Sequence, residues 1–300
     1  MTLMPRITLK DATADDFDAA YPLLRGFTGT HLDREDWRAI FSAPFRSQAD
    51  YVGYLLRDEG RAVGYMGCIF SRRLIRGREF DFCNLSSWIV LPEYRKYSIL
   101  FMRRLSELEH CVLTSLTPCD KVYNLFTRSG FVQVDDRFLA MPPLPFGSLH
   151  EPPVSLSADH EELAQRLTGD SLRNYQDHLR IDCRHFLAES KGETCHIVCT
   201  KRYKRSPGLR LRSIPVAMVH HASNPGLMAR CLGSITRKLC LRMRAALVMA
   251  DSRFIGGLKT APFAMSKAAP RLYKPCKDQP FEFLPHEVDN LYSEFMLLNY

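Results

Sequence analysis

No apolar run in the 300 residues approaches the roughly 18–20 residues that a bilayer-spanning helix needs. The opening Met1-Thr2-Leu3-Met4-Pro5-Arg6 lacks the apolar core of a secretory signal. A cytoplasmic protein without a transmembrane segment is the expectation. The ten cysteines never form Cys-x-x-Cys. Several stand in apolar runs (Cys68, Cys83, Cys231), which suits reduced core thiols. Cys195-His196-x-x-Cys199 is the one suggestive cluster, but residues four apart on a strand lie about 13 Å apart. They cannot share a zinc ion without a bend, and no metal is expected. Acid is scarce in the second half. Residues 1–150 carry 19 Lys/Arg against 18 Asp/Glu, and residues 151–300 carry 22 against 15, which accounts for nearly all of the net charge of +8. The basic run Lys201-Arg202-Tyr203-Lys204-Arg205 suits a phosphate, an anionic surface or a solvated hairpin end. Nucleic acid is not an expected partner, because neither a recognised motif nor a set of stacking aromatics accompanies the charge.

What is present is a strand, a turn and a helix at the centre of the first half. Phe80 to Val90 is apolar and β-leaning, and Pro92 stops it because proline has no N–H for the ladder. Arg95-Lys96-Tyr97-Ser98 follow, and a helix opens with Ile99, Met102 and Leu105 on one face. A helix N-terminus offers unpaired N–H groups and partial positive charge, which Arg95 and Lys96 would strengthen. Upstream, Ile7-Thr8-Leu9 reads as a strand, and Thr13-x-x-Asp16 as the start of a helix carrying Phe17, Ala20, Tyr21 and Leu24. A second helix opens at Asp33-Arg34-Glu35-Asp36-Trp37. Two further strands run from Tyr51 to Leu56 and from Ala62 to Leu74, joined by the turn Asp58-Glu59-Gly60. Downstream, Cys111 to Leu116 is a strand, and Lys121 to Gly130 is a helix closed by a glycine C-cap before Phe131. The pattern predicts an α/β fold (α+β) on a mixed sheet.

Two of these motifs together resemble the GNAT superfamily of N-acetyltransferases. Val90, Pro92, Glu93, Tyr94 and Arg95 match its Val-x-Pro-Glu-Tyr-Arg strand end, and Leu125, Gly130 and Phe131 match its later helix ending in Gly-Phe. The resemblance implies a GNAT-like fold with acetyl-CoA, or another acyl-CoA, as co-substrate. The backbone of Trp88, Ile89 and Val90 would hold the pantetheine arm, with Phe126 nearby. The amides of Lys96, Tyr97, Ser98, Ile99 and Leu100, with Arg95, would face the pyrophosphate. The chain departs from the family in four places. Ser98 and Leu100 stand where small residues open the turn, Phe126 stands for the tyrosine that protonates the departing thiolate, and Cys119 stands for an asparagine. Tyr123, one helical turn before Phe126, is the candidate proton donor. Asp81 on the central strand and Asp33 at the acceptor border are candidate bases, with Glu79, Glu35, Asp36 and His31 as neighbours. Asp33 also reads as a helix N-cap and His31 as a surface residue.

The Pro-rich stretch 142–157 reads as a linker between units at 1–141 and 158–300. The second unit repeats the order helix, three strands, helix, strand, with a helix over Glu161–Leu179. It has no phosphate-binding sequence at His220-His221-Ala222-Ser223-Asn224-Pro225. It reads as a degenerate second GNAT-like domain, closed by an amphipathic helix over Leu284–Leu298. The tandem form and the Asp289–Glu294 ending also resemble GNAT-type proteins of bacterial exopolysaccharide biosynthesis. That implies a small-molecule or sugar acceptor, with or without a phosphate. The alternative is a non-catalytic binding or regulatory protein on the same scaffold, since fold alone does not establish activity.

Overall fold

The computed structural model describes residues 7–27, 32–144, 151–204, 213–261 and 264–298. The first half contains β1 (Ile7–Ala12), α1 (Phe17–Leu24), α2 (Arg34–Arg38), β2 (Gly53–Asp58), β3 (Arg61–Ile75) and β4 (Arg78–Val90). A 3-10 helix (Pro92–Ser98) then leads into α3 (Ile99–Ser106), followed by β5 (Val112–Ser115), α4 (Asp120–Arg128) and β6 (Val132–Met141). The second half contains β7 (Ser155–Ser157), α5 (His160–Arg166), α6 (Gly169–Asp177), β8 (Arg184–Ser190), β9 (Glu193–Lys204) and β10 (Ile214–Ala222). It continues through α7 (Pro225–Arg230), α8 (Leu232–Met243), β11 (Leu247–Asp251), β12 (Met265–Lys274) and the four-residue α9 (Glu294–Leu297).

Local chemistry explains the frame. Three hairpins turn on residue pairs with positive φ, namely Glu59-Gly60, Arg76-Gly77 and Lys191-Gly192. Two successive left-handed residues match the twist of the flanking strands. Asp16 caps the first helical turn by accepting from the Thr13 amide at 3.0 Å, and Asp33 caps α2 by accepting from the Asp36 amide at 2.9 Å. Gly130, at φ +87°, closes α4.

All twelve described strands join one mixed sheet in the order β1-β2-β3-β4-β5-β12-β6-β11-β10-β9-β8-β7. β4 and β5 are parallel, as are β10 and β11, and the remaining pairs are antiparallel. At the centre the halves exchange strands. β12 lies between β5 and β6, and β6 lies between β12 and β11. Each half therefore supplies the strand beside the other half's parallel pair. Pro270 sits where β12 slips register against β6, between Ala268 and Arg271, so its missing N–H interrupts no regular ladder.

Two expectations need correction. Glu161–Leu179 is not one helix, because the chain turns extended at Leu167-Thr168 between α5 and α6. Leu284–Leu298 is not an amphipathic helix. Beyond a 3-10 turn at Pro285–Glu287 and the short α9, it is an irregular tail. Its apolar residues still bury. Leu291, Tyr292, Met296 and Leu298 pack into the first-half core with Leu24, Trp37, Phe41 and Phe45. Full burial of each such side chain contributes about 1.5–3 kcal/mol, so the tail ties the end of the chain to its beginning. His31, Arg205 and residues 145–150 of the linker lie outside the described residues.

Candidate active site

β4 and β5 pair over three residues, Phe82 to Asn84 against Val112 to Thr114, and then part. The cause is local. Gly67 pairs with Ser86 but Tyr65 pairs with Ile89, so β4 carries one extra residue, and Ser87 takes a φ of +52°. Such a bulge bends its strand and frees backbone groups from the ladder. Gly67 permits it, since a Cβ there would lie 2.7 Å from Ser86 Oγ. β5 ends at Ser115, and Pro118 leads the chain away towards α4.

Between the parted strands lies a groove of about 450 Å³. Trp88 and Phe126 form one wall, stacked at 5.8 Å, and Phe131 backs Phe126 at 4.5 Å. Phe27 and Trp37 close the side towards α1 and α2. Lys204 from β9 and Phe295 from the tail complete it, so both halves line the cavity. Most of the lining is apolar. The polar groups are concentrated at Ser86, Ser87, Ser115, Thr117 and the exposed Cys119. Ser86 Oγ and Ser87 Oγ have no hydrogen-bond partner among the described residues.

A carboxyl group stands behind this wall. Thr117 Oγ1 donates to Glu294 Oε1 at 2.7 Å, and Glu294 Oε2 has no partner among the described residues. Glu294 is fully buried, and that burial raises its pKa despite Thr117 and the nearby Arg271. Arg271 itself is engaged by both oxygens of Asp251 at 2.8–2.9 Å. At the other end of the groove, burial lowers the pKa of Lys204, with Arg202 and Lys267 adding repulsion. Arg202 and Lys204 alternate with the exposed Tyr203, so two cations of the basic run turn inward.

The structure brings together only part of the predicted site. Trp88 and Phe126 line the groove. Ile89 and Val90 continue β4 past the bulge and pack into the cores on either side of it. Arg95, Lys96, Tyr97 and Ser98 lie in the 3-10 helix, which bonds successive amides to carbonyls three residues back. The amides of this turn therefore bond within it rather than forming the expected open cradle, and Ser98 and Leu100 stand where small residues would open it. The exposed side chains of Arg95 and Lys96 form no ion pair among the described residues and carry the positive charge at this corner. Ile99 is 67% exposed at the start of α3, and Leu100 packs under it.

The three predicted catalytic side chains are engaged elsewhere and do not line the groove. Tyr123 donates its phenol to Gln133 at 2.8 Å. Asp81 holds Arg72 through two bonds at 2.8 and 3.0 Å across the β3–β4 ladder. Asp33 caps α2. Of their neighbours, Glu79 lies 3.4 Å from Arg173 and Glu35 lies 3.7 Å from Arg38. Sequence reasoning missed Thr117, Glu294 and the Phe27–Trp37 wall, and marked Lys204 only as part of the basic run. No local signal marks Glu294, because its place at the groove depends on the path of the tail.

No protein-family model matches the chain, and no curated protein matches it in sequence. Solved structures do. A GCN5-related N-acetyltransferase from Kribbella flavida superimposes with a TM-score of 0.55 at 16% identity, over 91% of this chain and 72% of the other. The N-myristoyltransferase of Saccharomyces cerevisiae with bound myristoyl-CoA gives 0.52 at 10% identity, over 98% and 90%. A GCN5-related glucosamine N-acetyltransferase region of a fungal β-N-acetylglucosaminidase gives 0.59 at 14% identity, over 91% and 38%. At these identities the likeness is one of fold: the chain is a mixed α/β protein with a GNAT-like fold.

Proposed function

We propose that this protein is an acyl-CoA-dependent acyltransferase that moves an acetyl or other acyl group to an amine or hydroxyl of a small-molecule or sugar acceptor. The observation that carries the reading is the groove between β4 and β5, where a bulge frees one strand edge beside a long apolar wall. Acyl-CoA fits this groove in one part and less well in another. The apolar wall of Trp88 and Phe126 suits a pantetheine arm. The wound 3-10 turn leaves the phosphates to the side chains of Arg95 and Lys96. When bound, the thioester supplies an activated acyl carbon.

The protein's part is to orient and to handle protons. The freed backbone at Ser86 to Trp88 and the unpartnered hydroxyls of Ser86 and Ser87 stand where donors would steady an oxyanion. Glu294 takes the acceptor's proton through Thr117, a role suited to a carboxyl whose pKa burial has raised. The new bond forms between the acceptor atom and the acyl carbon as the carbon–sulfur bond breaks. The thiolate then takes a proton from water, because Phe126 has none to give. The cations Lys204 and Arg202 favour an acceptor carrying phosphate or carboxylate, whose charge would relieve their mutual repulsion. The glucosamine N-acetyltransferase region among the structural neighbours supports a sugar acceptor. In this reading, residues 1–141 hold the thioester, 142–157 link, and 158–300 form the degenerate copy that lends Lys204, Glu294 and Phe295. An exopolysaccharide precursor would meet the same requirements.

Thermal unfolding with added acetyl-CoA tests the reading. Ligand at about 100 times its dissociation constant stabilises the fold by about 2.7 kcal/mol. The absence of any shift up to millimolar acetyl-CoA favours the second reading, a non-catalytic binding protein. Two observations support that alternative: the wound turn and the missing phenol at Phe126.

A further inference from the structure

The second half repeats the geometry of the first and leaves a cleft of its own. Parallel pairing of β10 with β11 runs from Val216 to Val219, and β10 then slips register against β9 at His220. Here the tail fills the gap between the parted strands. The Asn290 amide donates to the His220 carbonyl at 3.0 Å, and the Asn290 side chain meets Asp251 and Arg253. The space beside that plug stays open, with a volume of about 270 Å³. Its walls are the end of β3, Thr168 with the first half of α6, the end of β10 with Ser223, and residues 286, 287 and 289. The counterpart relation is direct. Lys204 at the end of β9 lines the first groove, and Arg73 near the end of β3 lines this one. Met66 of the groove and Arg73 of the cleft lie seven residues apart on β3, about 23 Å along the strand. The two sites are separate.

The cleft is built from buried polar groups. Asp289 binds Arg73 Nη2 through Oδ1 at 2.8 Å and accepts from His221 Nδ1 through Oδ2 at 2.9 Å. Arg73, His221 and Asp289 are 4%, 7% and 3% exposed. In the neutral tautomer that donates Nδ1–H to Asp289, His221 Nε2 is an acceptor. It has no partner among the described residues, and neither has the Arg73 Nε–H donor. An unsatisfied acceptor and an unsatisfied donor thus belong to two walls of one polar cavity, where leaving either unpaired is unfavourable. A hydroxyl-bearing ligand offers a partner of either kind, since a hydroxyl donates to imidazole and accepts from guanidinium. Ser171, Ser223 and His286 add further polar partners, and the lining offers little apolar surface to a fatty or aromatic ligand. We propose that this cleft is a second ligand site, which takes a small hydroxyl-rich molecule of about monosaccharide size. The proposal does not depend on the acyl-transfer reading of the first groove.

The test is saturation-transfer NMR and calorimetry on the full chain with glucose, galactose, glucosamine, N-acetylglucosamine and myo-inositol. At least one probe should bind saturably with a millimolar dissociation constant. Ser171→Trp fills the cleft from its partly exposed rim without touching the buried Arg73–Asp289–His221 set, and should weaken that binding about tenfold or more. His221→Phe, which removes the acceptor, should do the same. Cys119→Trp, which narrows the groove from an exposed position, should leave it unchanged, and Ser171→Trp should leave the response to acetyl-CoA unchanged. If folded wild-type protein binds none of the probes up to about 50 mM, or if Ser171→Trp leaves the binding intact, the assignment is wrong. Loss of binding in Cys119→Trp but not in Ser171→Trp would place the probe in the groove and also overturn it.

Discussion

Replacing Glu294 by glutamine should make the protein more stable and less active, with the gain in stability confined to higher pH. Glu294 is fully buried, holds Thr117 through one oxygen and leaves the other unpartnered. Its nearest cation, Arg271, is already engaged by Asp251. An ionised carboxylate in that position is poorly compensated, and its folded-state pKa is raised. The folded protein therefore binds this proton more tightly than the unfolded chain does. Wild-type stability is highest below the ordinary glutamate pKa and falls as pH rises through the raised value. The amide of Glu294→Gln keeps an acceptor for Thr117 and carries no charge. Unsatisfied buried polar groups cost about 1–3 kcal/mol, so a gain of about 1 kcal/mol or more is expected at pH 8 and little change at pH 5. Urea unfolding at the two pH values measures this. Thiol release from acetyl-CoA with a panel of amines and amino sugars should fall about 10²–10⁴-fold, while acetyl-CoA binding is unchanged. Equal destabilisation at both pH values, or a rate within a few-fold of wild type, would refute the reasoning.

Other consequences are as direct. Arg95→Glu should raise the acetyl-CoA dissociation constant about tenfold in a folded protein, and added salt should weaken wild-type binding, because exposed cations rather than backbone amides meet the phosphates. Phe126→Ala removes a fully buried ring stacked on Phe131 and Trp88, and should cost about 3–5 kcal/mol in urea unfolding. His185 and His220 are each held down to about 3 by burial. The folded state binds fewer protons than the unfolded chain between about 6.5 and about 3, so stability should fall as pH drops through that window. Each histidine contributes up to about 1.4 kcal/mol per pH unit, measured as the drop in urea midpoint from pH 7 to 5.

Much of the frame was legible in the sequence because its determinants are local. Pro92 stops β4, Asp33 caps α2, and Glu59-Gly60 and Arg76-Gly77 turn their hairpins with the geometry those residues prefer. The exchange of β6 and β12 was not legible, because nothing local to Met265–Lys274 names Val112–Ser115 as its neighbour. Pro270 and a mostly exposed first half further hide that strand from pattern reading. The tail misled for a related reason. Val288, Leu291 and Phe295 are spaced as on a helix, yet Val288 and Leu291 bury in separate cores of an irregular tail and Phe295 lines the groove. At the site, the parted strands and the Trp88–Phe126 wall follow from the central strand and the helix ending in Gly130. The proton-handling residues do not, since Thr117 and Glu294 are 177 residues apart in the chain. Tyr123, Asp81 and Asp33 were plausible by type and position, but each is held by a partner closer to hand.

The chain has two tryptophans, Trp37 and Trp88, and both line the groove. Intrinsic fluorescence therefore reports directly on whether a thioester arm enters it. Titration with acetyl-CoA should give a saturable change in tryptophan emission, with the midpoint shifted about tenfold higher in Arg95→Glu. A flat emission trace for folded wild-type protein up to millimolar acetyl-CoA would contradict the claim that this groove holds the acyl donor.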